Sequence, residues 1–374
     1  MNFSHTDEQQ IFAAMLERYF QEKYPFVARQ EVAYGGSGFS RERWAELAEL
    51  GLTASLFRPE CGGYGGDGFD IMIAFEQLGR ALAVEPLLGS LMVGQALAAA
   101  GHPKLEAVVT GQVIVALAHQ ERQGDAIEVL ATRAARDGSG CILEGAKAVV
   151  PQAESADWFL ISAHAPAGLT LFIVPARAPG VSIHGYLNIE GGRSGDLLLE
   201  HVRVGDGALV GSEGGGAPLL ERAIDAGLLA LAAEALGIMD VLKTAMLDYL
   251  RTRIQFGQPI GKFQALQHRM ADLSLELEQA RSSVINAAAA FNGGDAVQTR
   301  LALSAAKYTI GSTGTLVAQE AIQLHGAIGM TWELPLSHYA KRLVMIGHQL
   351  GDEDYHLARF ILATQARRPE QARS

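Results

Sequence analysis

From about residue 6 to residue 112, apolar positions recur every three to four residues, the spacing of one helix face. The segment TDEQQIFAAMLERYFQEKY is amphipathic and carries acidic residues in its first turn, where they complement the helix dipole. SRERWAELAELG opens at an N-cap candidate, Ser40, and stops at Gly51. FDIMIAFEQLGRALA and LLGSLMVGQALAAAG predict two further helices. The Gly-rich RPECGGYGGDG reads either as a solvated connection or as a wall of a ligand channel. Near Val113 the pattern changes to short apolar or alternating runs: VIVALAHQE, EVLATRAAR, CILEGAKAVV, DWFLISAHA, LTLFIVPA and DLLLEHVRV. Asp137-Gly138-Ser139-Gly140 separates two of them as a hairpin turn. From Pro218 the helical period returns. LLERAIDAGLLALAAEALGIMDVLKTAMLDYLRTR predicts one helix of about 50 Å at ~1.5 Å per residue. Two more long Ala-rich helices and a shorter fourth, LSHYAKRLVMIG, predict a four-helix bundle with much of its surface against another subunit. The expected fold class is α+β multidomain: an all-helical domain at 1–112, a β-barrel or sandwich at 113–212, and a helical bundle at 213–374.

A length of 374 residues, with 49% hydrophobic and 19% charged, suits a globular chain with ample cores. A net charge of −11 argues against nucleic acid and anionic membrane as partners. No apolar run approaches the ~20 residues that a membrane span needs. MNFSHTDEQQ lacks a basic region followed by an apolar one, so no signal peptide is expected and the cytoplasm is the simplest compartment. Cys61 and Cys141 are the only cysteines and support neither a disulfide framework nor a zinc site. No metal-ligand spacing, nucleophile triad or P-loop is present in the sequence.

Two segments of the last domain carry candidate chemistry. RTRIQFGQPIGKFQALQHRMADL (251–273) resembles the R-x-x-F-G-x-x-I-x-x-x-Q segment of the acyl-CoA dehydrogenases, and AIQLHGAIGMTWELPLSHYAKR (321–342) resembles their Q-x-x-G-G-x-G segment. Domain order and the separation of the two motifs match as well, and the likeness covers essentially the whole chain. Within the family it is nearest the small subunits of dicarboxylyl-CoA dehydrogenases of the pimeloyl-CoA type. The resemblance implies FAD as cofactor, an acyl-CoA substrate, an electron-transfer flavoprotein as electron acceptor, and a homo-oligomer or a heteromer with a large subunit. It assigns Arg253 to the FAD pyrophosphate, which a guanidinium can grip with two parallel hydrogen bonds. Phe256 would offer a face to adenine, and Gly257 would let the backbone approach closely. Gln264 and Gln323 would supply amide donors and acceptors, and Gly326 and Gly329 a tight loop facing the dinucleotide. Singly, each motif also reads as structure: an Arg near a helix C-terminus, a Gly stop.

The family's flavin-ring motifs, T-E-P-x-x-G-S-D and W-I-T-N, are replaced. The first site reads LAHQERQGD, with His119, Gln120 and Glu121; at the second, Val149, Val150, Pro151 and Gln152 stand in the motif. Pro151 has neither hydroxyl nor N–H, so it cannot make the family's contact to the ring. The catalytic carboxylate is displaced too. On the long helix the family position falls on Gly227, with Leu228 beside it; on the C-terminal loop, a gapped alignment gives Asp352 and an ungapped one Gln349. Asp352 is the candidate base, and equally an N-cap for the helix EDYHLARFILA. Glu234 is an additional carboxylate in an apolar stretch that reads as structurally paired, and His325 and His348 read as packing or surface residues. Three functions remain open: an active dehydrogenase, an acyl-CoA oxidase, and a structural subunit that completes a large subunit's FAD site.

Overall fold

The computed structural model describes residues 6–36, 38–122, 130–138 and 140–371, with side chains to residue 365. Ser139 of the expected hairpin turn, residues 128–129 of EVLATRAAR and residues 123–125 of LAHQERQGD lie outside the described residues. Six helices come first: α1 Asp7–Lys23, α2 Phe26–Ala33, α3 Arg41–Glu49, α4 Gly68–Ala81, α5 Leu87–Ala100 and α6 Leu105–Val109. Eight strands follow: β1 Val115–Ala118, β2 Arg133–Asp137, β3 Gly140–Pro151, β4 Trp158–Ala165, β5 Gly168–Pro175, β6 Val181–Leu187, β7 Arg193–Val204 and β8 Leu209–Val210. Then come α7 Gly216–Thr252, the two-residue strands β9 Ile254–Gln255 and β10 Gln258–Pro259, α8 Gln264–Asn292, α9 Ala296–His325, α10 Pro335–His348 and α11 Glu353–Gln371. The helix–strand–helix order expected from the sequence is present. No helix among the described residues is long and apolar enough to cross a membrane.

Chain contacts divide the molecule into two compact units. One comprises Met1–Arg29, Asp67–Ala83 and Leu228–Ser374; the other comprises Gln30–Gly66 and Val84–Gly227.

The second unit is built on one eight-stranded sheet in the order β6-β7-β3-β2-β4-β5-β8, with β1 paired parallel to β4. β2 and β3 pair antiparallel with Asp137 opposite Gly140, as a hairpin requires. Alternate residues of β4 (Phe159, Ile161, Ala163, Ala165) and of β7 (Leu197, Leu199) fall into one buried cluster with Leu143, Val150, Phe172 and Val174. The period-2 alternation of strands sends these side chains to a common face. Ser40 caps α3 by accepting from the Arg43 amide. The RPECGGYGGDG segment forms a tight loop in which a side chain on Gly63 or Gly66 would collide with the Phe57 backbone.

In the first unit, Thr6 and Gln9 close a capping box on α1, and Asp67 and Asp70 close another on α4. α4 runs backbone-to-backbone against its neighbours: Gly79 abuts the Glu234 carbonyl of α7, Gly237 the Glu76 carbonyl, and Gly68 the Ala288 carbonyl of α8. Small residues permit that approach. Arg80 and Arg281 both donate to Asp240 Oδ2 at 2.6 Å, tying α4 and α8 to α7. The long expected helix is α7, with 37 residues or about 55 Å at 1.5 Å per residue. α8, α10 and α11 each pack on α9, so a fifth helix adjoins the expected four.

Candidate active site

The first unit gathers both family-like motifs. α7 ends at Thr252, and Arg253 follows with its backbone fixed on both sides: its amide donates to Tyr249 O (2.8 Å) and its carbonyl accepts from Ile260 N (2.8 Å). Its side chain is exposed and makes no hydrogen bond or ion pair among the described residues. Gln255 pairs with Gln258, which leaves Phe256-Gly257 as a two-residue turn. Both turn residues are left-handed, at φ +52° and +78°, as a type I′ hairpin demands. Phe256 is nevertheless 90% exposed, touching only the edge of Phe263 at 6.0 Å between centroids. A bulky residue in that region costs of order 1–3 kcal/mol and is found where surroundings or function require it. Within this chain Phe256 buries almost nothing.

Gln264 opens α8, whose first turn has no side-chain cap, so its amides and the positive end of a 29-residue dipole are available to an anion. The Gln264 and Gln323 side chains are exposed and unpaired among the described residues. His325, in the last turn of α9, is buried and stacks on Tyr249 of α7 at 4.4 Å, which brings the ends of the two motif-bearing helices together. Gly326 is exposed at φ +67°. Gly329 is buried beneath α9, where a side chain would press on the Ile322 carbonyl and His325, so its role includes packing.

The base candidates separate by their partners. Gly227 is buried and offers no side chain. Glu234 is held by both oxygens, accepting from Arg342 Nε (2.6 Å) and Nη2 (2.7 Å), the structural pairing expected of it. Arg342 Nη1 also donates to Gln349 Oε1 at 3.1 Å. Asp352 is exposed; its Oδ1 accepts the Tyr355 amide at 2.9 Å as the N-cap of α11, while Oδ2 has no partner among the described residues. Just before it, Leu350 (φ +57°) and Gly351 (φ +97°) make a second left-handed pair. Here buried groups hold the chain. Lys307 Nζ donates to Gly347 O (2.8 Å) and Gly351 O (2.7 Å), and His356 Nε2 donates to Leu350 O (2.9 Å). Burial pushes Lys307 down to about 8, against the pull of Asp352 and Glu353, and pushes His356 down to about 4. His348 is exposed.

In the second unit the segments that replace the ring motifs are pinned to each other. Lys147 Nζ donates to Glu121 Oε1 (2.6 Å), to Ser162 Oγ (3.2 Å) and to His119 O (3.3 Å). Burial pushes Lys147 down to about 8 despite that pairing. Burial would raise Glu121, but Lys147, the Thr132 hydroxyl and the Ala131 amide outweigh it and hold the carboxyl below its usual range. Val149 is exposed at φ +52° within a bulge of β3, its amide donating to Asp196 Oδ1 (3.0 Å). Pro151 is half-buried at the strand's end. Sequence reasoning passed over Lys147, Lys307 and Arg342. The available signal was a cation inside an otherwise apolar run, as in CILEGAKAVV and ALSAAKYTIG.

An exposed guanidinium, an exposed ring and free amides at a helix N-terminus suit a nucleotide, and Asp352 offers a separate, backbone-fixed carboxylate. Residues 6–112, 116–202 and 214–362 match the N-terminal, middle and C-terminal domains of acyl-CoA dehydrogenase, and the chain belongs to that family. "Acyl-CoA dehydrogenase IpdE2" of Mycobacterium tuberculosis is 32% identical over 82% of this chain and 81% of its own length. A variant of the "Tcur3481-Tcur3483 steroid ACAD" superposes with a TM-score of 0.88 at 29% identity, covering 98% of this chain and 99% of that one. The "ChsE4-ChsE5 complex from Mycobacterium tuberculosis" does so at 0.89 and 26%, again covering 98% and 99%. The protein is thus an oxidoreductase of the FAD-dependent acyl-CoA dehydrogenase type. The residues present fit the nucleotide part of FAD: an unpaired guanidinium, an exposed ring, two unpaired amides and an uncapped helix start. For the flavin ring the second unit retains the pinned strands but, at Pro151, no hydroxyl.

Proposed function

We propose that this chain is a proton-abstracting subunit of an FAD-dependent acyl-CoA dehydrogenase, with Asp352 as base and the Arg253–Phe256 face completing the FAD site of a neighbouring chain. One observation carries the reading. Of the candidate base positions Gly227, Glu234, Gln349 and Asp352, only Asp352 offers a carboxylate oxygen without a hydrogen-bond partner among the described residues. The thioester carbonyl acidifies the α-carbon, and Asp352 Oδ2 takes that proton while the Tyr355 amide fixes Oδ1. FAD, when bound, supplies the acceptor for the hydride that leaves the β-carbon. Arg253 would fork onto the pyrophosphate, Phe256 would offer its ring to the adenine, and Gln264, Gln323 and the Gly326 loop would supply further contacts to the dinucleotide. Aspartate is one methylene shorter than glutamate; the left-handed step at Leu350-Gly351 supplies backbone displacement to compensate. The domain limits 1–112, 113–212 and 213–374, a dicarboxylic or otherwise bulky acyl-CoA, electron-transfer flavoprotein as acceptor and a cytoplasmic setting belong to the same reading.

A second reading is a structural subunit whose large partner holds the ring and brings the base. Pro151 favours it, as do the two-chain names of the solved relatives. Turnover of the FAD-loaded assembly separates the two. Asp352→Asn keeps the cap and removes basicity, so the first reading expects turnover to fall ~10²–10⁴-fold with FAD content unchanged. Full turnover of that variant assigns the base to the partner.

A further inference from the structure

We propose that Lys307 is the positioning residue for Asp352, a buried clamp that sets the turn between α10 and α11 so that the free carboxylate oxygen faces the substrate's α-carbon. The proposal rests on the reading of Asp352 as base. Four groups of the six-residue segment 347–352 are tied by side chains from three helices. Lys307 of α9 takes the carbonyls of Gly347 and Gly351, His356 of α11 takes that of Leu350, and Arg342 of α10 takes the Gln349 side chain. Lys307 spans the turn with two hydrogen bonds, joining the last turn of α10 to the residue immediately before Asp352. It is 1% exposed and buries an ammonium against two neutral carbonyls, with no carboxylate in ion-pair range among the described residues. Such burial is a poor way to gain stability, because desolvating a charge costs several kcal/mol that dipoles repay only in part. It is a good way to fix geometry: an ammonium is a strong donor to both carbonyls and enforces one spacing between them. Gly311 completes the fit, since a side chain there would meet Glu353, the first residue of α11. Leu350, non-Gly and left-handed, sits between the Lys307-held carbonyls with its own carbonyl held by His356.

The test uses the FAD-loaded assembly and three variants. Lys307→Met keeps the stem and removes the ammonium. Misplacing a reacting group by about an ångström lowers the rate by up to ~10²-fold, so kcat should fall roughly ten- to hundredfold while KM for the acyl-CoA holds. A merely structural lysine would lower the melting temperature and leave kcat alone; here kcat falls whether or not the melting temperature moves. If Lys307→Met does not fold, Lys307→Arg, which keeps the charge but misplaces its donors, should give the same loss of kcat. Either folded Lys307 variant with wild-type kcat overturns the proposal. Asp352→Asn separates the layers. If it is inactive while Lys307→Met is fully active, only the positioning role fails; if it is fully active, the base assignment fails and the positioning role with it.

Discussion

Two turns of the first unit have the same backbone recipe and opposite surroundings. Phe256-Gly257 and Leu350-Gly351 each pair a large apolar residue with glycine, and all four are left-handed. The first stands bare, its ring 90% exposed. The second is clasped by Lys307, His356 and Arg342, all reaching in from neighbouring helices. Strain without local support points to something that binds from outside; strain with buried support points to geometry prepared within the chain. On the proposed function the hairpin is half a site that cofactor and neighbour complete, whereas the Asp352 turn is held by the chain's own side chains.

That contrast breaks most visibly on acidification. His356 is neutral in the fold down to about 4, against an ordinary 6.5. Between those values the unfolded chain takes up a proton that the native chain refuses, so stability falls as pH drops from 6.5 towards 4. Two and a half units correspond to roughly 3 kcal/mol. Melting temperatures across that range should decline in the wild type and decline less in His356→Gln; parallel curves would mean that the clasp does not depend on neutral imidazole. The hairpin should respond to cofactor rather than to pH. Arg253→Ala removes a charge-assisted contact worth about 1.5–3 kcal/mol, so FAD affinity of the assembly should fall roughly ten- to hundredfold. Isothermal titration measuring unchanged affinity would remove Arg253 from the site. The smallest effect sharpens the comparison most. Phe256→Gly relieves a left-handed side chain that buries almost nothing, so the chain without FAD should gain up to about 1 kcal/mol by denaturant titration while the assembly retains FAD less well. Loss of stability without FAD would show that Phe256 supports its own fold.

The fold was readable because local signals agree with the tertiary outcome. Ser40 caps α3 at its sequence-marked position, and the change of period near Val113 marks the start of the sheet. The eight-residue α2 was missed; it buries too narrow a face to give a period. Of the proposed site, the exposed motif residues are named by the family resemblance, and the Arg253, Gln264 and Gln323 side chains make no hydrogen bond among the described residues that a contact pattern could have revealed. The clamp could not be named that way. Lys307 meets Gly347 and Gly351 across 40 and 44 residues, and Arg342 meets Glu234 across 108. A sequence reports that a lysine sits among alanines but not which carbonyls it finds.

The central claim is that Asp352 removes the α-proton, and exchange isolates that step from hydride transfer. With the FAD-loaded assembly reduced beforehand and kept anaerobic in D₂O, no hydride can leave, yet a competent base still exchanges the α-protons of a saturated acyl-CoA. Proton NMR should record loss of the α-signal with the wild type and a rate ~10²–10⁴-fold lower with Asp352→Asn. Equal exchange rates would contradict the account and move the base to another chain.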